Sequence, residues 1–157
     1  MKIQLLVIGN TSAPFIKDGI EIYRKRLSHY VPFDIVVLPD IRNARNLTEE
    51  MQKQKEGMAM LDVIKPGDYV VLLDERGVEY TSREFAGFVD KRMATVSRTI
   101  WFVIGGPYGF SDAVYDRCDF KLSFSRMTFS HEMIRLFFTE QLYRAMTILR
   151  GEPYHHD

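Results

Sequence analysis

Apolar and polar positions along this chain come in short blocks whose period switches between strand-like and helix-like. Ile3–Ile8 is a nearly continuous apolar run and predicts a buried strand. Phe15, Ile16, Ile20, Tyr23 and Leu27 recur at helical spacing, so Pro14–Arg26 predicts an amphipathic helix. Phe33–Leu38 is a second strand, ended by Pro39. Thr48 is placed to cap a helix running to about Ile64, with Glu49 and Glu50 where the helix dipole favours anions. Pro66-Gly67 marks a turn before a third strand, Tyr69–Leu73. Thr81 with Glu84 forms a capping box ahead of the helical face Phe85, Phe88, Val89 and Met93. Thr99–Ile104 is a fourth strand, Ser111 caps a short helix to about Arg117, and Phe120–Phe124 is a weaker fifth strand. His131–Arg150 is a long helix, closed by Gly151 with Pro153 after it.

Strands alternating with helices predict an α/β fold with a parallel sheet covered on both faces, in a single domain spanning residues 1–157. Open sheets of this kind bind ligands at the carboxyl ends of their strands. Three such ends carry loop chemistry: Leu73–Gly77, Ile104–Gly109 and Phe124–Phe129. The long last helix is apolar on more than one side. Ile134, Phe138, Leu142, Ala145 and Leu149 make one stripe, while Met133, Phe137, Met146 and Ile148 add surface beyond it. Such a helix wants two partners, the sheet and either a neighbouring helix or a second subunit.

Charge narrows the function classes. Lys plus Arg total 21 and Asp plus Glu total 21, so the net charge is zero and any nucleic-acid contact is through local patches. Candidate patch residues are Arg42, Arg45, Lys91, Arg92, Arg135, Arg144 and Arg150, which otherwise read as solvated faces. Cys118 is the single cysteine, which excludes an internal disulfide and a cysteine metal site. No segment has the length of a membrane span or the pattern of a signal peptide, so a cytoplasmic protein is expected.

The Gly105-Gly106-Pro107-Tyr108-Gly109 loop either lets backbone approach a ligand or is a tight turn into the next helix. The first strand–helix turn holds only Gly9, which argues against a dinucleotide enzyme. Phe124–Phe129 offers hydroxyls, amides and apolar walls, or serves as a buried connector. His131 at the helix start is either structural or catalytic. The terminal Glu152–Asp157 run carries two histidines without a partner set at metal-ligand spacing, so no metal is expected.

The segments Ile104–Gly109 and Leu122–Phe129, with His131, Glu140–Ala145 and the Pro153-Tyr154-His155 ending, together resemble the ribosomal RNA large subunit methyltransferase H family. The opening strand, the length and the Leu73-Asp74 strand end match it too. That family belongs to the SPOUT class of knotted methyltransferases. The resemblance implies a deep trefoil knot near the C-terminus and a homodimer joined through the last helix. It implies S-adenosylmethionine bound by Leu73, Gly105 and the run Phe124, Ser125, Arg126, Met127, Thr128 and Phe129. The implied reaction methylates N3 of a pseudouridine in a large-subunit rRNA stem-loop on the assembled ribosome. The tail of one subunit is implied to complete the other's active site, with His131, Arg144, Tyr154 and His155 as the candidate catalytic groups. His156 stands where the family carries a lysine or arginine, a weaker cation near neutral pH. A SPOUT enzyme with another RNA target, and a non-catalytic nucleotide- or ribosome-binding module, are the alternatives.

Overall fold

In the computed structural model, which describes residues 1–156, the apolar runs become five parallel strands. The chain order is β1 (Lys2–Ile8), α1 (Pro14–Leu27), β2 (Phe33–Leu38), a 3-10 turn (Ala44–Asn46), α2 (Glu49–Val63), β3 (Tyr69–Glu79), α3 (Ser82–Thr95), β4 (Thr99–Ile104), α4 (Asp112–Arg117), β5 (Phe120–Ser123) and α5 (His131–Leu149). The strands lie side by side as β2-β1-β4-β3-β5. Strand alternation sends Ile3, Leu5, Val7, Val71, Ile100, Phe102 and Ile104 to one face, where α1, α3 and α5 cover them. Leu6, Ile8, Val70, Leu72, Trp101 and Val103 face the other way, onto Met60 of α2 and Val114 of α4. This is a single α/β domain, and no helix among the described residues is long and apolar enough to cross a membrane.

The caps expected from sequence form. Thr48, Thr81 and Ser111 accept from Met51, Glu84 and Val114 amides, and Ser130 does the same for Met133 at the start of α5. At the far end of α5, Gly151 takes φ +67, its amide reaches Ile148, and the Glu152 amide reaches Thr147. That is a Schellman turn, and it sends the tail back along the helix.

Three departures matter. The third strand does not stop at Leu73 but resumes to Glu79. Leu73 and Val78 both pair with Leu122, so residues 74–77 loop out as an excursion between them. The excursion passes so close to β5 that a Cβ on Gly77 would lie 2.6 Å from the Lys121 and Leu122 backbone. Phe124 is not part of β5; it turns inward, with its ring 6.3 Å from Phe85 and from Phe138. Arg135, expected on a solvated face, is 2% exposed. Its guanidinium donates to the carbonyls of Ile8 (2.7 Å) and Gly9 (2.9 Å) and to Thr11 Oγ1 (3.0 Å). One turn earlier, Glu132 accepts from Ser12 N, Ser12 Oγ and Ala13 N. The two side chains clamp the β1–α1 turn onto α5.

Candidate functional site

The ends of β4, β3 and β5 are neighbours, so the three loops singled out from sequence meet at one edge of the sheet. Leu73 is paired with Ile104, which sets it directly beside Gly105. With strands spaced by about 4.8 Å, the outer two loops stand about 10 Å apart, close to the length of a nucleoside. Between residues 106 and 109 the bland reading of the glycine loop holds: Gly109 N donates to Gly106 O at 3.2 Å, with Pro107 in the turn and Gly109 at φ +85. Gly105 stands just before that turn. A Cβ there would stand 3.1 Å from the Phe110 ring, a tight contact that the ring would have to yield to by a few tenths of an ångström.

The Phe124–Phe129 run is tied to the β3 excursion. Thr128 Oγ1 donates to Glu75 at 3.3 Å, and Arg126 lies 3.8 Å from Glu79. Within the run, Ser123 Oγ donates to the Ser125 carbonyl, and Ser125 Oγ accepts from Met127 N at 3.0 Å. Arg126, Met127 and Thr128 are exposed, while Phe129 meets Phe137 edge-on at 5.2 Å. The excursion is fixed from its other side by Tyr115 of α4, whose hydroxyl donates to Asp74. Burial and that carboxylate push the Tyr115 phenol up to about 12, so it remains a donor at neutral pH. The backbone of these loops offers amides and carbonyls between apolar walls, which fits an adenosyl group. Among the described residues no cluster of three or more metal-ligating side chains accompanies them.

Three of the four candidate catalytic residues form one cluster, and Glu140 is its hub. Glu140 Oε1 accepts from Arg144 Nη2 (2.6 Å), Arg144 Nε (3.1 Å) and the Tyr154 hydroxyl (2.9 Å). Arg144 Nη1 lies 3.1 Å from His155 Nδ1. A guanidinium can only donate, so Nδ1 is the acceptor in this contact. Arg144 also covers the Tyr154 ring at 4.8 Å. Burial, with hydrogen bonding to Tyr23 and Glu140, raises the Tyr154 phenol well above its ordinary value. Tyr154 is therefore a hydrogen-bond donor and not a base at neutral pH. The i, i+4 spacing of Glu140 and Arg144 is a local signal from which this pair could have been found. His131 does not join them. It is exposed at the first turn of α5, about 20 Å along the helix from Arg144 at 1.5 Å per residue.

Sequence reading also missed a cleft of about 270 Å³ between α3 and α5, walled by Phe85, Phe124, Phe129 and Phe137 and floored by Glu140 and Gln141. Its polar side is a continuous chain: Ser82 Oγ donates to Gln141 Oε1, and Gln141 Nε2 donates to Glu140 Oε2. The cleft thus opens beside the Arg144–Tyr154 cluster.

Known proteins resemble the chain along its whole length. Residues 1–155 match a family model described as "Predicted SPOUT methyltransferase". The chain is 56% identical to the ribosomal RNA large subunit methyltransferase H of Parabacteroides distasonis over 157 residues, 100% of both chains. It is 56% identical to the same-named protein of Porphyromonas gingivalis and 50% identical to that of Bacteroides thetaiotaomicron, again over 100% of both. A solved structure of a probable methylase family protein from Haemophilus influenzae aligns with a TM-score of 0.53 at 12% identity. It covers 95% of this chain and 66% of the other, and at that identity the likeness concerns the fold alone. Matches of this length and identity, on a five-stranded parallel sheet, show that the chain belongs to the ribosomal RNA large subunit methyltransferase H family of SPOUT methyltransferases.

Proposed function

We propose that this chain methylates N3 of a pseudouridine in large-subunit ribosomal RNA, as a homodimer acting on the assembled ribosome. The observation that carries the reading is the convergence of the excursion after Leu73 with the Gly105 and Phe124–Phe129 loops, on the three adjacent strands β3, β4 and β5. Those residues hold the cofactor, whose sulfonium supplies an electrophilic methyl group. The protein's task is then in-line positioning and help for the weakly acidic N3–H. Arg144 and Tyr154 are both donors, so the cluster suits stabilising negative charge that develops on the ring carbonyls as the proton leaves.

The apolar outer surface supports the dimer. Phe15 and Ile22, seven residues apart on α1, are 66% and 50% exposed, and Phe137 and Leu149 on α5 are each 38% exposed. A second copy packed on α5 would cover them. The dimer also gives His131 a role. The distance from His131 to its own tail closes if two α5 helices run antiparallel, with one protomer's tail beside its partner's helix start. The knot is supported by topology. β5 is an edge strand, yet α5 lies between α1 and α3 over the middle of the sheet. A path for residues 124–130 past the β3–α3 connection, on the way from the edge to the middle of the sheet, is what a knot would require.

The test is mass spectrometry of rRNA from cells lacking this gene, followed by treatment of their ribosomes with the purified protein. The expected result is loss of one N3-methylpseudouridine and its restoration in vitro. Unaltered rRNA overturns the reading, and loss of a methyl elsewhere assigns a different RNA target.

A further inference from the structure

Glu56 of α2 is 2% exposed, among the most buried charged-type residues of the protein. Its Oε2 accepts from Gln52 Nε2 at 3.2 Å, and its Oε1 has no partner among the described residues. Burial raises its pKa, with Asp40 adding to the effect and Gln52 opposing it. Asp40, after β2, also lies against Gly9. The carboxyl is pressed against the glycine loop: a Cβ on Gly106 would sit 2.4 Å from Oε2 and 2.5 Å from Oε1. The approach is built in. Gly57, the next residue, is so close to α4 that its Cβ would fall 2.3 Å from Ser111 Oγ, which locks α2 beneath the loop.

An unsatisfied buried acceptor destabilises a fold, and an apolar residue of similar shape would not carry that penalty. Such a group points to a role outside the free protein's stability. The free oxygen here lies under the backbone adjoining Gly105, in the loop assigned above to the cofactor. We propose that Glu56 is a positioning residue of the S-adenosylmethionine site, whose free carboxyl oxygen takes a backbone N–H of the Gly105–Gly109 loop when that loop reshapes around the cofactor. Gly106 covers the carboxyl, so Glu56 acts through the loop and not by touching the cofactor. The inference rests on the assignment of that loop to the cofactor.

The experiment compares wild type, Glu56→Leu and Glu56→Gln in two measurements: melting temperature without ligand, and calorimetric affinity for S-adenosylhomocysteine. Glu56→Leu is expected to melt at or above wild type while binding at least tenfold more weakly. Glu56→Gln keeps an acceptor oxygen and should bind with intermediate affinity. A Leu variant that binds like wild type overturns the proposal, as does one that melts several degrees lower with unchanged affinity, the mark of a plain structural strut. If Leu does not fold, wild-type affinity in the Gln variant together with a lowered melting temperature overturns it equally. Absence of binding by the wild type itself would instead refute the cofactor assignment.

Discussion

Replacing Gly77 with alanine adds one methyl group at a place where its cost can be worked out. The new Cβ would stand 2.6 Å from Leu122 N and from the carbonyl carbon and oxygen of Lys121, where ordinary contact begins near 3.4 Å. The excursion and β5 must therefore separate by about 0.8 Å. All three obstructing atoms are backbone of a paired strand, so none can swing aside as a side-chain tip would. Overpacking of this kind costs about 1–3 kcal/mol. Each ladder bond stretched beyond use around the Leu73 and Val78 pairings adds about 1 kcal/mol. A total of roughly 3 kcal/mol corresponds to a melting temperature lower by about 6–12 °C in a domain of this size. Gly87 is the control. It is exposed on α3 with nothing within 4 Å of its Cβ, so alanine there should add about 0.5–1 kcal/mol from helix propensity. The same chemical change should thus lower one melting curve and raise the other. The excursion also carries Glu75 against Thr128, so Gly77→Ala should weaken S-adenosylhomocysteine binding at least tenfold by calorimetry, and Gly87→Ala should not. A Gly77→Ala protein that melts at or above wild type would refute the close-approach reasoning.

The tail offers a second test: deleting Pro153–Asp157 should leave cofactor affinity nearly unchanged and slow methylation of ribosomes by about 10²-fold or more, and a full rate would make the tail a bystander. Tyr154→Phe keeps the ring and loses the donor, so a loss as large as that of Tyr154→Ala identifies hydrogen bonding as its role. Hydrogen bonds from Ser12 and Ala13 hold the Glu132 carboxyl at about 2 against an ordinary 4.5, so its stabilisation is complete above 4.5 and is lost as pH falls toward 2. Glu132→Gln should therefore melt below wild type at pH 6, with the two curves converging near pH 2; a constant gap across that range contradicts the clamp. Light scattering at micromolar protein should give twice the 18.4 kDa chain mass, and a monomer would remove the covering assigned to Phe15, Phe137 and Leu149.

Much of this molecule could be read from its residues. The strands and caps follow from period and from Thr48, Thr81 and Ser111, because each depends on neighbours within a few positions. The resumption of β3 after Gly77 could not be seen, since Asp74–Gly77 has turn chemistry and only the partner strand restores pairing at Val78. Arg135 looked like a surface residue, and Glu56 drew no notice, because nothing local separates a charge facing water from one seated under a loop. α2 had little apolar pattern for a related reason: Glu56, Gly57 and Met60 are its buried positions, and only one of them is a large hydrophobe. Around the site, the adjacency of the three loops was readable from the strand pattern, and the tail's return onto Glu140 was not. A glycine stop says where a helix ends but not what the departing chain will meet.

The clamp at the first turn has a consequence for how the chain is made. Glu132 and Arg135 grip residues that emerged 119 to 127 positions earlier, and β1 pairs with β4 across almost the whole intervening chain. During synthesis the Gly9–Ala13 turn therefore waits without its partners until nearly all the protein has left the ribosome. Contacts so distant in sequence make folding slow and largely post-translational. In refolding from denaturant, the single tryptophan, Trp101, and the Ser12 and Ala13 amides should gain fluorescence change and exchange protection in the same late phase; early protection of that turn would contradict the order.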